Sequence, residues 1–299
     1  MTKEEYKSFS GVYALMLTPF KEDLSVDYEV YKEYVEFQVA TGVKHLFAIC
    51  GTGEMAELTL DEREKLAKLT YEYAGGVPIV ATANLEPSWF AQVEEVKRMS
   101  DTGVSGLVFV TKGMGNDPER QYTYLCELAQ YTALPIFLYE FPGYKPSKME
   151  ASVYGRLVET GKFIGIKDTT SVMPTIKEKI AVQGDSNVLQ ANIPYLFEAY
   201  KAGARGVMAT PTSCGAGLFQ KMWDEFTSGD MKKAEETFYN IIMLDNAIDS
   251  GFNSSAKYLV NLQGVNMDPR NRHNTVLSPA RLQSLRVYHD WAKANGQLS

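Results

Sequence analysis

Residues 159–170 read ETGKFIGIKDTT. A helical stretch of mixed polar and apolar residues runs into Gly161, the short apolar run FIGI follows, and the run ends in Lys167. A glycine just past a helix suits the left-handed conformation that closes many helices. An apolar run without polar alternation suits a strand buried on both faces. The same pattern stands at 40–50 (ATGVKHLFAIC), 74–83 (AGGVPIVATA), 101–110 (DTGVSGLVFV), 131–140 (YTALPIFLYE) and 201–210 (KAGARGVMAT).

Two more apolar runs complete the set, and strands are predicted at 12–17, 44–49, 77–82, 106–110, 135–139, 163–167, 187–190 and 206–210. Helical patterns fill the gaps, for example at 27–41, 61–74, 88–102 and 118–131, several of them opening on an acidic residue, Ser or Pro. Alternating strands and helices imply a parallel sheet with right-handed crossovers. Eight units within about 210 residues imply an α/β fold closed as a (β/α)8 TIM barrel rather than an open sheet. After Thr210 only helical patterns remain, including 230–246 and 279–294. The expected organisation is a barrel over 1–217 and a C-terminal helical extension over 218–299, packed on it as a single structural unit.

Composition agrees with one globular protein. The chain has 299 residues, 45% apolar and 22% charged, enough to bury a sizeable core. The net charge is −7, and no Lys/Arg-rich run or basic–aromatic patch suggests nucleic acid or an acidic membrane as partner. Cys50, Cys126 and Cys214 are widely spaced and odd in number, which argues against a disulfide framework. The opening MTKEEYKSFS has no apolar core of a leader, and no run reaches the roughly 18 residues of a membrane span. A cytoplasmic location is therefore expected.

In such barrels chemistry sits at the C-terminal ends of the strands. Strand two ends in Cys50-Gly51-Thr52-Gly53-Glu54, strand five in Tyr139-Glu140, strand six in Lys167-Asp168-Thr169-Thr170, and strand eight in Thr210. Alone, each has a bland reading: a solvated lysine, a core tyrosine, a turn that needs glycine anyway. Together they suggest covalent chemistry. A lysine held among apolar neighbours loses some preference for its ammonium form. The neutral amine can attack a ketone and form a Schiff base. Tyr139 would carry protons. The 51–53 turn would offer backbone N–H groups and the Thr52 hydroxyl to a carboxylate. A 2-oxo acid fits both ends.

Other chemistries lack motifs. His45, His273 and His289 have no metal-ligand spacing. Cys50 and Cys214 read as small packing residues. No GxGxxG or Walker-type loop is present, and no glycine cluster after strands seven and eight supports a pyridoxal phosphate barrel.

These residues resemble the dihydrodipicolinate synthase / N-acetylneuraminate lyase family of class I aldolases, from VYALMLTPF (12–20) to the C-terminal helices. GTGE (51–54) is similar to the family's GTTGE-type signature, LYEFP (138–142) to its Y-N-x-P segment, and GIKD (165–168) to its G-I/V-K-D/E segment. The resemblance implies Lys167 as Schiff-base lysine and Tyr139 as proton relay. It implies that Thr52 and adjacent backbone hold the substrate carboxylate, and that Met208 adds backbone contacts. It further implies a homotetramer, often a dimer of dimers, with a small 2-oxo acid as substrate and no metal or organic cofactor.

Departures from the pattern bear on the substrate. The synthases have two threonines in the strand-two turn, and Gly51 stands at the first. They place a tyrosine after strand four, where this chain reads TKGMGND (111–117). They have an arginine after Y-N-x-P, where Tyr144 stands, and Lys145 beside it could act only as a point charge. The sialic-acid lyases carry an acidic pair after strand seven, where QANIPYL (190–196) has none. GTGEMAELT (51–59) is closer to the sugar-acid dehydratases and 2-keto-3-deoxy acid aldolases. The sequence therefore favours a catabolic aldolase or dehydratase acting on pyruvate or a related 2-oxo acid. The synthase and N-acetylneuraminate lyase activities are alternatives, and a non-catalytic 2-oxo-acid-binding barrel is one of another class. Lys112, Met114, Glu140, Tyr144, Thr169, Asn192 and Thr210 are the positions expected to discriminate substrates.

Overall fold

Strands and helices alternate from residue 11 to residue 207. The computed structural model describes residues 2–298 apart from 113, 115, 146, 274 and 275. Two glycines of the 111–117 segment and Pro146 of the GYKP segment thus lie outside the described residues. The strands are β1 (Gly11–Leu15), β2 (His45–Phe47), β3 (Ile79–Thr82), β4 (Gly106–Val110), β5 (Ile136–Tyr139), β6 (Phe163–Asp168), β7 (Asn187–Gln190) and β8 (Gly206–Val207). Each neighbours the next in chain order, and the sheet closes into a barrel. The helices are α1 (Lys3–Lys7), α2 (Tyr28–Ala40), α3 (Leu60–Tyr73), α4 (Trp89–Ser100), α5 (Pro118–Ala129), α6 (Ala151–Glu159), α7 (Met173–Ala181) and α8 (Ile193–Ala202). Beyond the barrel follow α9 (Thr212–Thr227), α10 (Met231–Asp249), α11 (Asn253–Leu262) and α12 (Pro279–Ala294). The fold is a (β/α)8 barrel with extra C-terminal helices, as the repeated pattern implies. No helix among the described residues is long and apolar enough to cross a membrane.

Local chemistry explains most boundaries. In the stretch 159–170, α6 closes on Thr160, and Gly161 follows with φ +73°, its N–H bonded to the Val158 carbonyl at 2.9 Å. A side chain there would strain the left-handed backbone. α3 begins at Leu60, slightly earlier than its acidic run suggests. The Thr59 hydroxyl accepts from Glu62 N, and the Glu62 carboxylate accepts from Thr59 N at 2.9 Å, so a reciprocal cap sets the start. β8 is shorter than the apolar run 206–210. The carbonyls of Ala209 and Thr210 already accept from Thr212 N and Ser213 N, so the chain has turned into α9.

The chain divides into two compact units. One combines Met1–Gly11 with Pro78–Met208 and carries β3 through β8. The other combines Val12–Val77 with Ala209–Ser299, so the C-terminal helices group with β2, α2 and α3. Within this second unit the end of β1 is tied to the start of α9. Leu15 N donates to the Thr212 hydroxyl at 3.1 Å, and Tyr34 Oη and Gln38 Nε2 both donate to the Ser213 carbonyl at 2.6 Å. The position between 217 and 218 lies inside α9, which kinks at Gly215.

Candidate active site

In the first unit, Tyr139 and Lys167 face each other across the β5–β6 ladder. The pairing begins with Ile136 opposite Phe163, but Phe137 pairs with Gly165, so the register slips by one residue. Carried on without the slip, the first pairing would set Tyr139 against Ile166. Successive strand side chains leave opposite faces, so that partner would point the wrong way. The bulge re-aims the pair. Lys167 Nζ lies 4.2 Å from the Tyr139 ring centroid, and both residues are only 4% exposed. A buried amine thus lies against the ring of a phenol at two adjacent strand ends, where barrels of this kind carry their chemistry.

The residues after these strand ends belong to the same unit. Tyr139 packs on Phe141, and Phe141 on Tyr144, with centroids 5.5 and 5.6 Å apart. Lys112, after β4, sets its Nζ 5.6 Å from the Tyr144 ring, so the cation beside Tyr144 comes from β4, whereas Lys145 is exposed. Burial lowers the Lys112 pKa, against the pull of Glu95 and Glu86. Met114 has a positive φ of 44°. The Thr169 hydroxyl donates to the Glu140 carbonyl at 2.6 Å, and Asn192 Nδ2 donates to the carbonyls of Thr169 and Thr170 at 2.8 and 3.0 Å. These polar groups brace the backbone after β6. Met208 gives its N–H to the Gln190 carbonyl at 3.1 Å.

In the second unit, the 51–53 turn follows β2. Gly53 N donates to the Cys50 carbonyl at 3.0 Å, so this N–H belongs to the turn itself and is not presented to a ligand, contrary to a nest built from all three residues. Gly53 is needed for space: a Cβ there would stand 2.5 Å from the Met16 carbonyl oxygen. Thr52 is buried, and its hydroxyl meets that of Thr210 at 3.0 Å. Glu54 takes a left-handed conformation (φ +60°). It accepts from Lys257 Nζ of α11 at 2.6 Å and from Arg272 N at 2.9 Å, a buried anchor for the turn. Burial lowers the Lys257 pKa, with Glu54 opposing.

Sequence reasoning missed the ionic partners. Lys257 and Glu54 are 203 residues apart, and nothing local links them. Lys179 is another. It is fully buried in α7, between the carboxylates of Glu140 and Asp168. Its one visible signal is a helical spacing from the buried Ile176. Cys50, Cys126 and Cys214 are free thiols, and burial pushes the Cys214 thiol up to about 12. His45 stacks on Tyr13 at 4.5 Å, while His273 and His289 sit beside Glu57 and Asp290. Among the described residues no group of three or more His, Cys, Asp or Glu is poised for a metal.

Comparison with known proteins agrees with this layout. A model of the dihydrodipicolinate synthetase family matches residues 8–284. A 4-hydroxy-tetrahydrodipicolinate synthase of Pseudoalteromonas atlantica is 27% identical over 244 residues, covering 80% of this chain and 83% of its own. The crystal structure of a dihydrodipicolinate synthase of Thermotoga maritima matches with a TM-score of 0.86 at 25% identity, over 97% of this chain and 100% of its own. YagE, a prophage protein of Escherichia coli K12 solved in complex with pyruvate, matches with a TM-score of 0.87 at 19% identity, over 95% of this chain and 99% of its own. At that identity the likeness to YagE is one of fold. With the family match spanning nearly the whole chain and the barrel closed as the motifs require, this protein belongs to the dihydrodipicolinate synthetase family of class I, Schiff-base-forming lyases.

Proposed function

We propose that Lys167 is the Schiff-base residue and that pyruvate or a related 2-oxo acid is its substrate. The amine adds to the keto carbon, the carbinolamine loses water, and the protonated imine draws electrons from the adjacent carbon. Tyr139 carries protons to and from the carbinolamine and the substrate hydroxyl. The family pattern assigns the substrate carboxylate to Thr52 and the backbone beside it at Gly51, with backbone contacts from Met208; the Thr210 hydroxyl, 3.0 Å from that of Thr52, would join them. Tyr144 lines the distal end, and Thr169 braces it. The observation that carries this reading is the buried approach of Lys167 Nζ to the Tyr139 ring at 4.2 Å.

The second half of the reaction has two readings. The curated relatives are named 4-hydroxy-tetrahydrodipicolinate synthase, which favours the synthase over the catabolic aldolase or dehydratase that the sequence suggests. Gly51 and Tyr144 still speak for the catabolic enzyme, because a hydroxyl and a bidentate cation are missing there. A homotetramer, a cytoplasmic location and an appendage over 218–299 belong to the same proposal.

The test is borohydride reduction in the presence of pyruvate. The expected result is a reduced adduct at Lys167 by peptide mass, absent in Lys167→Ala. Pyruvate binding without an adduct would favour a non-catalytic barrel instead. Turnover of pyruvate with aspartate semialdehyde, set against cleavage or dehydration of 2-keto-3-deoxy sugar acids, separates the two substrate readings.

A further inference from the structure

A cluster of charges stands behind the strand ends that carry Tyr139 and Lys167. Side chains alternate along a strand, so Glu140 and Asp168, the next residues, leave on the other face. There Lys179 Nζ, from α7, donates to Glu140 Oε1 at 2.6 Å and to Asp168 Oδ2 at 2.7 Å. All three side chains are fully buried. Glu140 Oε1 also accepts from Met149 N at 2.8 Å, and Glu140 Oε2 from Thr169 N at 3.4 Å. Asp168 Oδ1 accepts from Thr170 N and the Thr170 hydroxyl at 2.8 and 2.7 Å.

Stability alone does not account for this arrangement. Buried ions lose their hydration, and replacing a whole buried ionic cluster by uncharged groups is often neutral or stabilising. Its geometry is more informative. The ladder between β5 and β6 ends at Tyr139 and Lys167, and the next bond, Glu140 N to the Lys167 carbonyl, is long at 3.4 Å. Where the ladder weakens, one ammonium ties together the two residues that carry the backbone onward. Burial pushes the Glu140 carboxyl above its ordinary range, and the Lys179 ammonium opposes that rise.

We infer that Lys179, with Glu140 and Asp168, is a positioning device for the Schiff-base centre: it fixes the spacing of the two strand ends and so the approach of Lys167 to Tyr139. The inference rests on the reading of Lys167 given above. Reacting groups displaced by about 1 Å can lose on the order of a hundredfold in rate, so a clamp at this point would act on catalysis without touching substrate.

The experiment compares the intact protein with Lys179→Met and with the neutral triple variant Glu140→Gln/Asp168→Asn/Lys179→Met. Exchange of the pyruvate methyl protons in D2O, read by proton NMR, reports loss of a proton from the imine to give the enamine and needs no second substrate. Borohydride adducts report the imine itself, and thermal melting reports the fold. The expected result is a triple variant that melts near the intact protein. Its KM for pyruvate exchange stays within about threefold while its kcat falls by about ten- to a hundredfold. Lys179→Met should show the kcat loss with a lower melting midpoint, and if it does not fold the triple variant decides. An unchanged kcat in the triple variant would overturn the inference, as would its failure to fold, which would assign the cluster to stability alone. No adduct and no exchange in the intact protein would remove the role of Lys167 and this inference with it. An adduct in the intact protein with unchanged exchange in the variants removes the inference only.

Discussion

The ring of Phe137 occupies the place of a side chain at Gly165: a Cβ there would lie 2.4 Å from Phe137 Cε1 and 2.5 Å from the Asn187 carbonyl oxygen. The two residues are paired across β5 and β6 at the point where the register slips, two rungs before Tyr139 and Lys167. Glycine at 165 thus lets the barrel interior accept an aromatic ring and the bulge together. Gly165→Ala should cost about 1–3 kcal/mol, the scale of overpacking a filled core, because the Asn187 backbone cannot yield as a flexible side chain would. Melting should fall by several degrees, and borohydride trapping of pyruvate at Lys167 should slow. A variant with the melting curve and trapping rate of the intact protein would show that the slip does not depend on this glycine.

Tyr139 tests the acid–base half of the proposed mechanism. Its ring faces the Lys167 amine, and it ends a strand with little solvent access. Tyr139→Phe keeps the ring and removes the proton. Turnover should fall by roughly two to four orders of magnitude, the scale of a lost acid–base group, while the pyruvate adduct still forms slowly. Rates are read with whichever second substrate proves active, and adducts by intact mass. Near-normal turnover would take Tyr139 out of the mechanism.

Asp245, in α10, makes a pH-dependent contribution to stability. Burial first, and then the charge of Asp249 one turn on, push its carboxyl up to about 6. In the unfolded chain it titrates at about 3.9. The folded pKa is the higher one, so its contribution is fully present below about pH 4 and is lost as pH rises through about 6. Asp245→Asn cannot ionise. Its melting midpoint should exceed that of the intact protein at pH 7, and the gap should close by pH 4. A gap of the same size at both pH values would contradict this account.

What could be read in advance follows from how local each signal is. The Gly after α6 involves residues within a turn of each other and is visible in order along the chain, whereas the reciprocal cap of Thr59 and Glu62 starts α3 before the acidic run from which its start is read. β8 is shorter than its apolar run because that run continues through residues that already belong to the turn into α9. Gly51-Thr52-Gly53 reads as a ligand nest when only its sequence is considered. In the fold Gly53 spends its N–H on Cys50 and is held as glycine by the carbonyl of Met16, on the neighbouring strand's path.

By itself the sequence determined the order of the eight strand–helix units, the helical character of the C-terminal region and the family motifs that single out Thr52, Tyr139 and Lys167, because apolar period, caps and motifs are short-range properties of the chain. Only the tertiary structure decided that Tyr139 meets Lys167 through a one-residue slip, that Lys179 closes on Glu140 and Asp168, and that Lys257 anchors Glu54 from 203 residues away. Those relations depend on which strand ends and helices the barrel brings side by side. A buried lysine costs too much to leave unpaired, yet hydrophobic periodicity does not say which carboxylate will pair with it.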